Sequence, residues 1–243
     1  MLRQGAAAIN WKFLTALSAP PGAAAGGLAN AIVGTLLVTF VACAIGVPIG
    51  LMAGVYLAEF GAGRKLASAV RFLVNVMMGI PSIIIGLFVY TVLVLPAGHF
   101  SGWAGGVALA LLILPVVART TEDMLALVPN PLRESALALG APRWRTTLQI
   151  VFRAARAGLL TGVLLAVARV SGETAPLLFT ALNSPYMPRS LSGPTANLTV
   201  TIFNYAMSPY PDWQRAAWGA SFLITIGVLA LTIASRVLAR ERT

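Results

Sequence analysis

An all-α polytopic membrane helix bundle is the fold class this sequence predicts, and three observations carry the prediction. Of its 243 residues, 58% are apolar and 10% charged, against about 25% charged in a typical soluble domain, and the mean hydropathy is +0.85. Five apolar runs are long enough for helices that cross a bilayer, which takes about 20 residues. The 17 Lys and Arg residues leave a net charge of +10, yet they fall between those runs instead of forming one basic face. Membrane sorting explains them, and nucleic-acid binding does not.

In chain order, residues 1–27 are polar to Ala-rich, with a break at Pro20-Pro21-Gly22 and a Gly26-Gly27 pair. They are expected to form an external interfacial segment and linker. Arg3 stands without the apolar core and cleavage site of a signal peptide. The first span is expected at about 28–57. Along it Ala42, Gly46, Gly50, Gly54 and Ala58 place a small residue at every fourth position, a stripe that lets another helix backbone come close. The second span is expected at about 70–95, with Pro81 opening PSIIIGLFVY. The third starts near Trp103 and runs to Ala118, where Arg119-Thr120-Thr121-Glu122-Asp123 ends the apolar stretch. The fourth is expected at about 157–182 and the fifth at about 217–238.

Sorting the basic residues by alternate sides of five spans puts twelve on one side: Arg64, Lys65, Arg71, Arg119, Arg133, Arg143, Arg145, Arg153, Arg156, Arg236, Arg240 and Arg242. The other side has Arg3, Lys12, Arg189 and Arg215, and Arg169 stays within the membrane. The positive-inside rule makes the larger group and the C-terminus cytoplasmic and the N-terminus external. An external N-terminus without a signal peptide leads to the expectation that an earlier membrane helix precedes these residues.

The fourth span holds the chemistry. In LLAVARVSGETAPLLFT an apolar run is interrupted by Arg169 and Glu173, with Gly172 and Pro176 beside them. Ions at membrane depth cost about 2.5–3.5 kcal/mol on insertion scales, so they face a polar interior or a pathway. Helical spacing puts the two on one face within reach of each other, while Pro176 is expected to kink or break the helix. Two readings are open: a neutral pair that pins helices together, and a polar step in an anion pathway.

Two connections are long. Residues 119–156 read as helical: LRESALAL follows Pro129-Asn130-Pro131 and is stopped by Gly140, and RWRTTLQIVF begins after Pro142. Two short helices about a glycine make a docking surface, with a loop lying on lipid headgroups as the other reading. Residues 183–215 are rich in Pro, Asn and Ser, with an apolar patch at 198–207 too short to span. An interfacial or re-entrant helix is expected there, an ordinary loop being the alternative.

Glu134-Ser135-Ala136, then Gly140, then Ile150 resembles the EAA loop of ABC importer permeases, departing from the pattern at Ser135, Phe152 and Arg153, the last standing where the pattern has proline. With GIPSIIIGLFVY, ARTTEDML, ARVSGETAPLLFTAL and ANLTVTIFNYAMSPYPDWQRAAW, the chain resembles the permease subunits of phosphate-specific ABC importers from residue 24 onward. The resemblance implies the type I importer permease fold over 28–243, with a coupling loop at 119–156 and an external loop at 183–215. Six helices are usual in the family, so five agree with a missing first one. It further implies a homologous permease partner, two copies of a cytoplasmic ATP-binding subunit, and an external phosphate-binding protein. By motif, Glu134, Ala136 and Gly140 belong to the ATPase-coupling element, and Arg119, Arg169 and Glu173 to the phosphate pathway. The missing proline is expected to make the loop's second helix more continuous.

Arginine offers a permanent charge and a planar fork of donors matched to phosphate oxygens. Arg119 and Arg169 are therefore expected to line the pathway, with Glu173 keeping Arg169 from holding the anion too tightly. Hydroxyls of Thr120, Thr121, Ser171 and Thr174 are secondary donors. An ion-coupled secondary anion carrier is the alternative, but inverted repeats are not evident and the docking loop would then lack a purpose. Catalysis has no candidates: Cys43 is alone in the first span, and His99, the single histidine, lies in the external PAGHFSG loop. No metal or cofactor set is expected. The chain has no G-x-x-x-x-G-K-[ST] motif, so ATP and Mg belong to the partner ATPase.

Overall fold

The structure is a computed structural model that describes residues 2–22 and 26–240, with side chains from 4 to 237. Of the basic residues sorted above, Arg242 lies outside it. The described residues form helices α1 (Leu2–Ala8), α2 (Trp11–Thr15), α3 (Ala29–Phe60), α4 (Lys65–Gly79), α5 (Ser82–Ala97), α6 (Gly102–Ala126), α7 (Asn130–Ala138), α8 (Arg143–Val170), α9 (Ala175–Leu178), α10 (Leu198–Ala206) and α11 (Pro211–Arg240). Four of them, α3, α6, α8 and α11, are individually long and apolar enough to cross a membrane.

The small-residue stripe of α3 is the seam on which the bundle is built. It runs parallel to α6, and added Cβ atoms at Gly46 and Gly50 would each stand 2.9 Å from a carbonyl of α6, those of Ala110 and Leu114. Gly54 faces Thr121 and the carbonyl of Ala118 in the same way. α6 returns the favour with Gly106 against Val41. In a bilayer, where hydrocarbon is as apolar as leucine, such backbone proximity and the dispersion contacts it permits are what hold helices together. α8 runs antiparallel to α6, with Gly158 and Gly162 seated on Met124 and Thr120. Val38, Leu109, Ile113, Val117, Ala166 and Val170 close the core between the three helices.

Three expectations are revised. The second span is not one helix: α4 and α5 meet at 105°. Proline pushes the residue before it out of the helical region, and Ile80 accordingly sits at φ −74°, ψ 128°. Arg119–Asp123 does not end the third span but lies within α6, because its charges find partners there. Finally, the second piece of the 119–156 connection is not a separate short helix. It is the first part of α8, 28 residues that run on through a single π turn at Thr147–Val151. Arg153 in place of proline removes the reason for a stop.

Residues 2–22 are more than a linker. α1 packs on α11, where Gly5 lies against Phe222, and the buried Phe13 rests on Gly219. The fully buried Asn30 accepts from Ser18 Oγ at 2.9 Å and donates to the Ser184 carbonyl at 2.7 Å, and Trp213 Nε1 donates to the Ala19 carbonyl at 3.1 Å. These bonds tie the N-terminal segment to the 183–215 connection. The apolar patch in that connection is indeed a short helix, α10, capped by the Asn197 side chain, while α11 begins at Pro211, six residues before the expected 217.

The seam makes a testable difference between glycines. Gly50→Val drives a branched side chain into Val117 and the Leu114 carbonyl, an overpacking that costs about 1–3 kcal/mol, whereas Gly227→Val in α11 meets open space. The first is expected to lower the thermal midpoint of the purified protein in detergent by several degrees, and the second to leave it in place.

Candidate functional site

α8 ends where the sequence places Gly172 and Pro176. Ser171 caps it, its N–H donating to the Val167 carbonyl at 3.0 Å, and the N–H of Glu173 reaches the Val170 carbonyl at 3.1 Å. Pro176 then occupies the first turn of α9, where its missing N–H costs nothing. The break is braced on two sides. Gly86 of α5 sits so close to Pro176 that a Cβ there would stand 2.6 Å from the Pro176 Cα, and Thr199 Oγ1 donates to the Glu173 carbonyl at 2.8 Å.

Depth follows from the packing register. Gly162 of α8 faces Thr120 of α6. Arg169 lies seven residues further along, about 10 Å of helical rise, which brings it level with residues near 113, the middle of α6. The break thus falls near the midplane of the bundle, and Arg119 and Arg169 stand at two successive levels.

The Arg169–Glu173 ion pair, one of the two readings open from the sequence, is not formed. With residues 171–174 out of the helix, the i, i+4 geometry is lost, and neither residue has an oppositely charged partner within 4.0 Å among the described residues. Arg169 is exposed on the surface of this chain and Glu173 is half-buried. Arg119 is different: it reaches Glu122 at 3.5 Å and Asp123 at 3.2 Å, and Glu122 is also held by Arg71 of α4 at 2.6 Å. Its side chain is still 42% exposed.

At the end that carries most of the basic residues, α7 presents Glu134 to solvent and buries Ala136. Gly140 follows at φ +84°, the left-handed conformation that glycine adopts without cost, and turns the chain into α8. Leu139 is 89% exposed and Leu132, Leu137 and Trp144 are exposed as well, an apolar surface beside the unpaired Glu134. Of the acidic residues described, Glu134 and Glu173 are the two without an ion pair, and both are sequence-derived candidates.

Sequence reasoning missed the residue that fastens this hairpin. Arg133 donates to Glu59 through Nη2 at 2.8 Å and Nε at 3.1 Å, and its Nη2 also donates to the Leu125 carbonyl at 2.7 Å. The pair is nearly enclosed, with side chains 19% and 9% exposed. Arg71 and Glu122 were likewise passed over. The available signal was scarcity: with seven acidic residues in 243, each acid at the edge of an apolar span, as in YLAEF, calls for a cation. His99 sits exposed beside the Phe100 carbonyl, and no group of three or more potential metal ligands occurs among the described residues.

The profile of the family described as "Binding-protein-dependent transport system inner membrane component" matches residues 46–241. The chain belongs to this family. It is a multi-pass membrane protein and a transport component. Among relatives, the "Phosphate transport system permease protein PstA" of Yersinia pestis is 54% identical over 224 residues, covering 92% of this chain and 76% of the relative. The "Probable phosphate transport system permease protein PstA" of Methanocaldococcus jannaschii is 40% identical over 213 residues, covering 87% and 75%. Among solved structures, an inward-facing MetNI methionine ABC transporter aligns with a TM-score of 0.74 at 24% identity, over 89% of this chain and 96% of that one. An amino acid ABC transporter aligns at 0.66 and 18%, over 88% and 92%. The fold is that of type I ABC importer permeases.

Gly140 offers a clean check on the hairpin. No atom lies within 4 Å of an added Cβ, so Gly140→Ala carries only the left-handed backbone cost of about 1–2 kcal/mol. Faster amide exchange across α7 and the 139–142 turn is expected in that variant, with Gly140→Asn intermediate because asparagine tolerates the conformation.

Proposed function

We propose that this chain is the permease subunit of an ATP-driven importer of inorganic phosphate in the bacterial cytoplasmic membrane. It forms the translocation pathway with a homologous permease, rests on two copies of an ATP-binding subunit, and receives phosphate from an external binding protein. The observation that carries the reading is 54% identity to a phosphate permease sustained over 92% of the chain. By charge distribution the hairpin and the C-terminus face the cytoplasm, and ATP and Mg act on the partner ATPase.

The site chemistry supports an anion. A guanidinium near the midplane, exposed on this chain and without a carboxylate partner, is too costly to leave in hydrocarbon. It fits a polar cavity completed by the second permease. Phosphate entering that cavity exchanges water for the donor fork of Arg169. Glu173, a short chain length away in the break, weakens the hold by its own charge without occupying the guanidinium. One level further in, Arg119 is already engaged by Glu122 and Asp123, so it offers a second site that binds weakly and releases. Two weak steps suit conduction better than one strong one. At the cytoplasmic end, Glu134, Ala136 and Gly140 shape the face that the ATPase grasps.

Arg169→Gln in the reconstituted complex, with binding protein present, is expected to cut ATP-dependent phosphate uptake at least a hundredfold while the subunits still co-purify. Uptake near the wild-type rate would reduce Arg169 to a structural residue. Uptake by the wild type driven by an ion gradient without ATP would favour a secondary carrier instead.

A further inference from the structure

We propose that the buried Arg133–Glu59 pair transmits the movement of the hairpin to α3 and α6, which makes Arg133 a positioning residue for coupled transport. The inference rests on the importer reading and adds to it a link that no motif marks. Three features converge on it. First, one guanidinium joins three elements: it projects from α7, pairs with Glu59 in the last turn of α3, and binds the carbonyls of Leu125, in the last turn of α6, and Val128 just beyond it. A lysine ammonium lacks the fixed fork needed to hold a carboxylate and two carbonyls together.

Second, the pair lies between an apolar cluster and a pocket that it lines with Arg143, Thr146 and Thr147. Leu125, Val128, Val151, Ala155 and Leu159 form a cluster against which Val55 and Ala58 of α3 pack. A charge pair enclosed there is retained at a desolvation cost, and a pair of apolar side chains would fill the same place. The pair therefore supplies direction and reach more than adhesion. Third, both helices that meet at the cluster widen locally into π turns, Tyr56–Phe60 and Thr147–Val151. Glu59 lies on the first of these. π turns are local insertions that recur at functional positions, and here they are where the span ends take up the hairpin.

The test uses the complete importer in vesicles, with phosphate uptake and ATP hydrolysis measured on the same preparation. Glu59→Gln keeps the shape of the side chain and removes its charge. It is expected to retain hydrolysis within about twofold while uptake falls at least tenfold, so that more ATP is spent per phosphate. Arg133→Lys is expected to lie between this variant and wild type, and the exchange Glu59→Arg with Arg133→Glu to recover part of the loss. A ratio of hydrolysis to uptake that stays at the wild-type value, with both falling in step with the amount of assembled complex, overturns the inference and leaves a structural pair.

A readout independent of substrate separates this from failure of the phosphate reading. With Cys43→Ser as background, spin labels at Met52→Cys and Leu132→Cys report the distance from α3 to the hairpin through the ATP cycle. The distance is expected to hold constant with the native pair and to change in Glu59→Gln. A constant distance in Glu59→Gln overturns the link whatever solute is carried, and wild-type vesicles that take up no phosphate overturn the substrate instead.

Discussion

An ion inside a membrane protein must be answered, and the charge layout of this chain follows from that constraint. A carboxylate or guanidinium at membrane depth costs several kcal/mol unless a partner, a polar cavity or water takes up its field. Most of the few acids here are answered within the chain. Glu59 meets Arg133, Glu122 meets Arg71 and Arg119, and Asp123 meets Arg119. The answered groups cluster toward the ends of α3 and α6 on the basic side of the bundle. Among the described acids Glu134 and Glu173 stand without an ion pair, and so does Arg169, the one basic residue placed near the midplane without a carboxylate.

The same constraint governs the backbone. A helix cannot stop in hydrocarbon without finding acceptors and donors for its ends, yet α8 stops near the midplane. It does so because its last carbonyls are taken by the N–H groups of Ser171, Gly172 and Glu173, the Glu173 carbonyl by Thr199, and the resumption by a proline that has no N–H to satisfy. The close approach of Gly86 to Pro176 then excludes lipid from one side. A break so supported holds two charged side chains, one exposed and one half-buried, on a scaffold stiffened by the α3–α6 seam.

Much of this was legible in the residues, and the reasons for the exceptions are physical. Periodic small residues predicted the seam because backbone approach needs the absence of a side chain, a property that one sequence displays by itself. Gly172 and Pro176 predicted the break for the same reason. Of the two readings open for Arg169 and Glu173, the ion pair does not form, since i, i+4 spacing implies contact only if the helix continues, and Pro176 argues that it does not. The bend at Pro81 was read as an opening, not as a 105° turn, because a proline marks where a helix yields but not the direction it takes. Arg133 and Glu59 stand 74 positions apart, and no local pattern joins residues at that separation. Their pairing is a product of how α7 folds back on α3.

The departure at Arg153 connects the two halves of the site. In the importer pattern a proline stands at that position, and a proline there would interrupt the helix leaving the hairpin. With arginine the helix runs from Arg143 to Val170, about 42 Å at 1.5 Å per residue, and reaches the break without a hinge other than the π turn at its base. One rigid rod therefore has the Gly140 turn at its foot and Arg169 at its tip. In the coupling proposed above, a tilt imposed at the foot would displace the tip, with the Arg133–Glu59 pair carrying α3 and α6 along. That coupling relies on the stiffness of α8 above its π turn to join the hairpin to the midplane, where Arg169 is exposed and has no ion pair among the described residues to fix it.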